Sequence, residues 1–390
     1  MKKKIVFVTT ALWIGGIETA LANLLKQFDY DSYELTLVVL KAEMDLLPRI
    51  DPRCRVLILD RDRTVSFTKP YRHSKLYHLT EESSAPSRLH RLMRWAVPVI
   101  KRIETYFYLS YIRSCLRNES FDTAVIYSDA VAGFTVKAVR ANRYLMFYHH
   151  GIMRRVDYDS AAWRRCRHIV AVSRHQAEQL RLFRPRYAEK ITVIHNLADI
   201  ETVTSRAEAD PPQTFRNDCF HIVTVGRVSW EKGMDLAAEA CALLVRAGFT
   251  KLRWWIVGGG PALRELHDQI HRLEIEAYMI PVGMAENPYP YIRKANLYVQ
   301  PSRFEGYPMT LLEALVLGKP VLSTDNPGAR ELLQSYGTGH MCKIDAGDMA
   351  DQIRNLMTAG GNAELYCQSP PLSALRDENR RCLEQLYALL

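Results

Sequence analysis

Short apolar runs rich in β-formers alternate with stretches of helical spacing from one end of the chain to the other. They fall in two series, at 5–9, 33–40, 56–59, 123–127, 144–148, 168–172 and 191–194, then at 220–225, 253–257, 278–281, 297–300 and 320–323. Most are continuously apolar rather than alternating, as strands of a parallel sheet are when helices cover both faces. That rhythm restricts the chain to the α/β class, with doubly wound sheets. Between the series, residues 201–218 are polar, contain Pro211-Pro212 and lack a hydrophobic period, which marks a linker. The expected organisation is two doubly wound domains, 1–200 and 219–371, facing each other. A last helix over 372–390, with Leu375, Cys382, Leu383 and Leu386 as apolar contacts, is expected to pack back on the first domain.

Composition agrees with two cores: 390 residues, 48% hydrophobic and 24% charged, with 19 Gly and 18 Pro, exclude a disordered or collagen-like chain. No apolar run approaches the roughly 18 residues that span a bilayer. Lys2-Lys3-Lys4 before Ile5-Val6-Phe7-Val8 imitates a signal peptide only briefly, and residues 13–18 offer no small-residue cleavage site. The expectation is a protein neither secreted nor membrane-spanning. Eight cysteines stand singly with no C-x-x-C, which argues against disulfides and a zinc site and for a reducing cytoplasm.

Charge is unevenly placed. Residues 1–200 hold 33 Lys+Arg against 20 Asp+Glu, whereas the rest is slightly acidic, so the first half is the one suited to an anionic partner. Within it, 88–117 reads as a helix kinked by Pro98. Leu89, Leu92, Met93, Ala96, Ile100, Ile103 and Phe107 share one side, and Arg88, Arg91, Arg94, Lys101 and Arg102 lie opposite. Such a stripe fits either a core-facing helix or an interfacial helix on anionic lipid.

Four places carry chemistry. Gly15-Gly16 lies between a strand and a helix, where it is either a plain βα turn or a turn whose free N–H groups favour an anion. Gly226-Arg227 closes a strand and Lys232 follows five positions on, so a planar fork and a mobile cation can converge on one diphosphate. Gly258-Gly259-Gly260 fails as a dinucleotide fingerprint, because Leu263 stands where the third glycine belongs; it is either backbone room beside a nucleotide or a loop. The strongest signal is 301–314, where Glu305 sits in a Gly-Pro loop and Glu313 in the helix after it. Glu313 lies among Leu311, Leu312, Ala314 and Leu315, and a charge in such a setting usually has a partner.

In combination these motifs resemble the retaining GT-B glycosyltransferases of family 4, with their E-x7-E signature. Further matches are Gly-Gly-Ile-Glu at 15–18, Val-Ser at 172–173, His-Asn at 195–196 and Asn-Pro-Tyr-Pro-Tyr-Ile at 287–292. The resemblance implies a GT-B fold of two Rossmann-like domains across a cleft, acceptor-binding first and nucleotide-sugar-binding second. It implies that Arg227 and Lys232 hold the donor diphosphate, that Glu305 takes donor sugar hydroxyls and that Glu313 contacts the ribose. Gly16 and Gly226 would give backbone room, and the amides around Gly306, Tyr307, Pro308, Met309 and Thr310 would line the sugar and phosphates. One of His149 and His150 would face the reacting sugar.

The implied reaction preserves the anomeric configuration and uses no cofactor and no metal. Asp60-Arg61-Asp62 follows a strand, but Arg53, Arg55, Arg61 and Arg63 around it suggest ion pairing rather than a metal. The expected donor is a UDP-sugar, because Glu-Gly-Tyr-Pro resembles UDP-sugar users, with GDP open. The expected acceptor is a lipid-linked saccharide for cell-surface polysaccharide or oligosaccharide, at the inner face of the plasma membrane, with Arg91, Arg94, Lys101 and Arg102 on the lipid. A soluble acceptor is the alternative. No aromatic-and-basic RNA-binding signature supports a nucleic-acid partner.

Overall fold

The computed structural model describes residues 1–41, 43–59, 110, 112–116, 118–149, 160–213, 215–358 and 369–390. Two wholly parallel sheets form the frame. The first contains β1 (Lys3–Thr9), β2 (Tyr33–Val39), β3 (Arg55–Ile58), β4 (Ser120–Ile126), β5 (Arg140–Tyr148), β6 (His168–Ala171) and β7 (Ile191–Val193), in the order β3-β2-β1-β4-β5-β6-β7. The second contains β8 (Phe220–Val225), β9 (Leu252–Val257), β10 (Met279–Gly283), β11 (Leu297–Gln300), β12 (Val321–Thr324) and β13 (His340–Cys342), in the order β10-β9-β8-β11-β12-β13. The expected strands all appear, and β13 is an addition. Its three residues, His-Met-Cys, pair only with β12 at the sheet edge, so nothing in their polarity announces a strand.

The order of each sheet reverses once, between β1 and β4 and again between β8 and β11. At such a reversal the loops leaving the two strands diverge to opposite faces and open a crevice at the carboxyl ends. Both crevices receive the marked motifs: Gly15-Gly16 follows β1, Gly226-Arg227 follows β8, and the Glu305 loop follows β11.

Packing explains the continuous apolar runs. In β1, Ile5 and Phe7 face one core while Val6 and Val8 face another. In the second sheet, Val223, Trp255 and Tyr298 belong to the same layer as Ile5 and Phe7, and Ile222, Trp254 and Val299 to a layer of their own. One apolar layer therefore passes from the first sheet to the second, through the helices Gly16–Lys26 and Met309–Val316, which pack on each other.

The polar stretch after residue 200 opens with a helix, Ile200–Arg206. Asp199 caps it by accepting from the Thr202 amide at 3.1 Å, and Ile200 and Val203 are buried. Two buried residues in two turns are too few to read as a period. The last helix, Leu372–Leu389, lies against the first half. Its Tyr387 ring stacks on Tyr33 at 5.3 Å, meets Phe28 edge-on at 5.2 Å, and its hydroxyl accepts from the Asp29 amide at 2.9 Å. Leu375, Cys382 and Leu386 are buried beneath it.

Asp60, Asp62, Arg91, Arg94, Lys101, Arg102 and His150 lie outside the described residues. Among the described residues no helix is long and apolar enough to cross a membrane.

Candidate active site

Lys232 and Glu305 meet at the carboxyl ends of β8 and β11. The Lys232 Nζ donates to both carboxylate oxygens of Glu305, at 2.7 and 2.9 Å. Glu305 is nearly enclosed and Lys232 about a quarter exposed, so the pair has one face open to a ligand. The two loops are stitched together beside it. Arg303 makes a bidentate pair with Asp235 at 2.7 Å, and its amide donates to the Glu231 carbonyl at 2.8 Å.

Arg227 is not part of this pair. It stands exposed at the mouth, close enough to Glu18 of the first half to attract its charge.

The first half supplies the opposite wall. Gly16 is exposed at the head of its helix, and a Cβ there would meet nothing within 4 Å, so this turn faces open space. His149 follows β5, with its ring 4.7 Å from Tyr127 and stacked on Phe147 at 5.8 Å. Its carbonyl oxygen lies close against the Glu305 loop. A Cβ on Gly306 would lie 2.6 Å from that oxygen, so only glycine lets the Glu305 loop reach the first half. Gly258 serves the second half alone, since a Cβ there would fall 1.9 Å from the Gly226 carbonyl oxygen. Its observed role is to let the β8 and β9 loops touch.

The remaining motif residues separate by depth. Pro308 caps the helix Met309–Val316, Met309 is buried as its first residue, and the Thr310 hydroxyl donates to Gln300 Oε1 at 3.1 Å. The Tyr307 side chain is buried and turned to His195, so only its backbone can face a ligand in the cleft. Glu313 has the partner its surroundings demand, accepting from the Tyr289 hydroxyl at 3.0 Å. Burial pushes its carboxyl up to about 7, opposed by the charge of Arg49. Burial likewise pushes Glu18 up to about 7, opposed by its own amide, Trp13 and Arg227.

His195 joins three parts of the chain. Its Nδ1 lies 2.9 Å from Glu378 on the last helix and its Nε2 2.8 Å from Glu331 on the helix Pro327–Tyr336 of the second half. With a carboxylate at each nitrogen, the site favours the doubly protonated ring, which donates from both. The ring stacks at 4.8 Å on Tyr307, the residue that follows Glu305 and Gly306 in the chain. Glu331 also accepts from the Arg174 amide at 2.7 Å, so a second-half carboxylate caps a first-half helix. His195, Glu378 and Cys382 have ligand atoms within 4.8 Å of one another, but both ring nitrogens are already engaged by carboxylates. His195-Asn196 stood in the sequence as a motif without a role. Glu331 and Glu378 had no local signal, because their contacts join residues far apart in the chain.

This link titrates. Burial would lower the His195 pKa, but the hydrogen bonds to Glu331 and Glu378 outweigh it and raise it to about 8. The link therefore stabilises the fold fully below the ordinary histidine value near 6.5 and loses that contribution as pH rises through about 8. On the acid side, the His195 bond holds both carboxylates below their usual range, and their contribution disappears only when they protonate. Such a shift corresponds to about 2 kcal/mol, or about 2 °C of Tm for a chain of this length. Melting curves at about pH 6.5 and 9, either side of the raised value, should show a drop about 2 °C larger in the native protein than in His195→Gln. Equal drops would show that the link carries no such stability.

Two family models cover nearly the whole chain: "Glycosyltransferase Family 4" matches residues 14–202 and "Glycosyl transferases group 1" matches residues 205–366. A curated relative from Campylobacter jejuni, N-acetylgalactosamine-N,N'-diacetylbacillosaminyl-diphospho-undecaprenol 4-alpha-N-acetylgalactosaminyltransferase, is 32% identical over 40% of this chain and 41% of its own length. The alpha-D-kanosaminyltransferase of Streptomyces kanamyceticus is 25% identical over 57% of this chain and 61% of its own. The matched regions thus span between about two-fifths and three-fifths of these two curated relatives. Among solved structures, HepE of Anabaena with UDP-glucose superposes with a TM-score of 0.67 at 17% identity, covering 99% of both chains. A TarM variant of S. aureus, solved with fondaparinux, alpha-GlcNAc-glycerol and UDP, gives 0.71 at 13% identity, again over 99% of both. The chain belongs to the group 1 glycosyltransferases of the family 4 type, and its two parallel sheets have the GT-B fold.

Proposed function

We propose that the protein is a retaining glycosyltransferase that moves a sugar from a UDP-sugar to a lipid-linked saccharide in cell-surface polysaccharide or oligosaccharide synthesis. The observation that carries this reading is the Lys232–Glu305 pair, a cation and an acceptor side by side at a sheet reversal. A nucleotide-sugar presents the matching chemistry, since its diphosphate needs cations and its sugar hydroxyls need acceptors. On binding, the donor parts the pair: Lys232, joined by Arg227, turns to the diphosphate, and Glu305 accepts from sugar hydroxyls. The amides from Gly306 to Met309 line the sugar and phosphates, Glu313 serves the ribose, and Gly16 lets the facing wall approach. The anomeric C–O bond to the diphosphate breaks while an acceptor hydroxyl bonds the same carbon on the same face. The hydroxyl proton leaves with the diphosphate oxygen. Charge on the leaving group is met by Arg227 and Lys232, so no divalent metal is required.

The acceptor reading draws on the name of the Campylobacter relative, which specifies a diphospho-undecaprenol substrate for that protein. The name of a Salmonella typhimurium relative, 29% identical over 39% of this chain, places that protein in colanic acid biosynthesis. The cationic excess of residues 1–200 suits an anionic surface, and Arg91, Arg94, Lys101 and Arg102 are the proposed lipid contacts. The protein would then work as a peripheral protein at the inner face of the plasma membrane. One experiment tests the donor, the metal and the acceptor, with the anomeric configuration of the product read by NMR: label transfer from a panel of UDP- and GDP-sugars, in chelator, to saccharide-diphospholipid in anionic vesicles or to free saccharide. Transfer from a UDP-sugar to the lipid-linked acceptor is expected. Activity only with GDP-sugars, only with added manganese or magnesium, or only on free saccharide would overturn the corresponding part.

A further inference from the structure

Gln300, the last residue of β11, is 2% exposed, and hydrogen bonds engage both ends of its side-chain amide. Its Oε1 accepts from the Tyr298 hydroxyl at 2.5 Å and from the Thr310 hydroxyl at 3.1 Å. Its Nε2 donates to Ser302 Oγ at 2.7 Å and to Glu305 Oε1 at 2.9 Å. The Glu305 carboxylate sets the direction, because a flipped amide would turn its oxygen on an acceptor-only group. The amide therefore reaches Glu305 from the core side, while Lys232 holds the same carboxylate from the open side.

We propose that Gln300 is a positioning residue for the donor sugar: its amide fixes the Glu305 carboxylate so that the sugar hydroxyls meet an acceptor already in place when Lys232 leaves it. The proposal rests on the reading of Glu305 as the donor-sugar acceptor. The physical reason is the parting of the pair. Once Lys232 turns to a diphosphate, the carboxylate loses its outer anchor, and without a second one it would swing with its own side chain. An anchor made from the rigid end of a central strand prevents that. The amide is also neutral, so it orients the carboxylate without competing for the charge that the sugar hydroxyls need. Thr310 and Tyr298 hold Gln300 in turn, which links Glu305 to the first turn of the helix Met309–Val316.

The test uses Gln300→Met, which keeps the length and apolar body of the side chain and removes the amide, alone and combined with Glu305→Gln. The probes are UDP and whichever of UDP-glucose, UDP-galactose, UDP-N-acetylglucosamine and UDP-N-acetylgalactosamine binds the native protein most tightly. Misplacing a reacting contact by about 1 Å can cost on the order of 10²-fold in rate. The expected result is a kcat lowered by about 10–100-fold and a loss of the affinity gap between UDP-sugar and UDP, with UDP affinity itself within about twofold of native. In the Glu305→Gln background, adding Gln300→Met should cause little further loss, because the residue acts through the carboxylate. Full additivity of the two changes, an equal fall in UDP affinity, or native turnover by Gln300→Met would each overturn the proposal. Native turnover by Glu305→Gln alone would instead overturn the reading of Glu305, which separates the two failures.

Discussion

Lys232→Ala should lower turnover by about 10²–10³-fold, the usual effect of deleting one preorganised contact to charge that develops in a transition state. The argument starts from the pair. In the resting structure Lys232 neutralises Glu305 and sits within a pocket that leaves it only partly solvated. A diphosphate arriving there meets a cation already held at the strand ends by two hydrogen bonds, from which it has only to turn. Removing it leaves Glu305 beside the leaving group with its negative charge uncompensated, so the variant loses an attraction and gains a repulsion. Arg227→Ala removes the second cation but leaves the pair intact, so its loss should be the smaller of the two. Steady-state kinetics with the confirmed donor decide the matter: the fall should lie mainly in kcat. A near-native kcat for Lys232→Ala would remove that residue from the reaction.

Gly306→Ala should cost on the order of 10²-fold through geometry alone. Its added methyl group would sit 2.6 Å from the His149 carbonyl oxygen, closer than carbon and oxygen approach without repulsion, and that oxygen belongs to the backbone. The neighbours leave little room for relief. Val172 stands 3.5 Å from the same point, and the Tyr307 ring is stacked against His195. The Glu305 loop must then retreat from the first half and take the carboxylate with it. Gly16→Ala is the stability control, because a Cβ there meets nothing within 4 Å. The expected pattern is a lower Tm for Gly306→Ala and an unchanged one for Gly16→Ala. An active Gly306→Ala with native Tm would show that the two walls do not need their present separation.

Much of this frame was legible because the sequence writes local rules plainly. Continuously apolar runs such as 254–257 and 297–299 read as strands covered on both faces, and their order gives the fold class. The Lys232 and Glu305 motifs were legible for a second reason, since each stands just beyond such a run, where α/β sheets place ligands. Most of the missed features depend on pairing across the chain. β13 exists because β12 offers it an edge, and the helix Ile200–Arg206 is secured by a cap and packing rather than by a period. Glu331 looks like an ordinary surface residue of its helix until the first half presents His195 and the Arg174 amide to it. Gln300 gave one faint signal, a polar side chain closing an apolar strand, but its meaning depends on four partners, one of them ten residues on.

The apolar layer that passes from one sheet to the other has a mechanical consequence. Halves joined only through a polar strap would drift apart at no hydrophobic cost, and the crevice would stand open between turnovers. Here the helices Gly16–Lys26 and Met309–Val316 share one apolar seam. Every square ångström of it exposed by separation carries a penalty of about 25 cal/mol. A movement that keeps these two helices in contact avoids that penalty, and one that separates them does not. The same seam ties the halves together on heating, so calorimetry should record a single endotherm rather than one for each sheet.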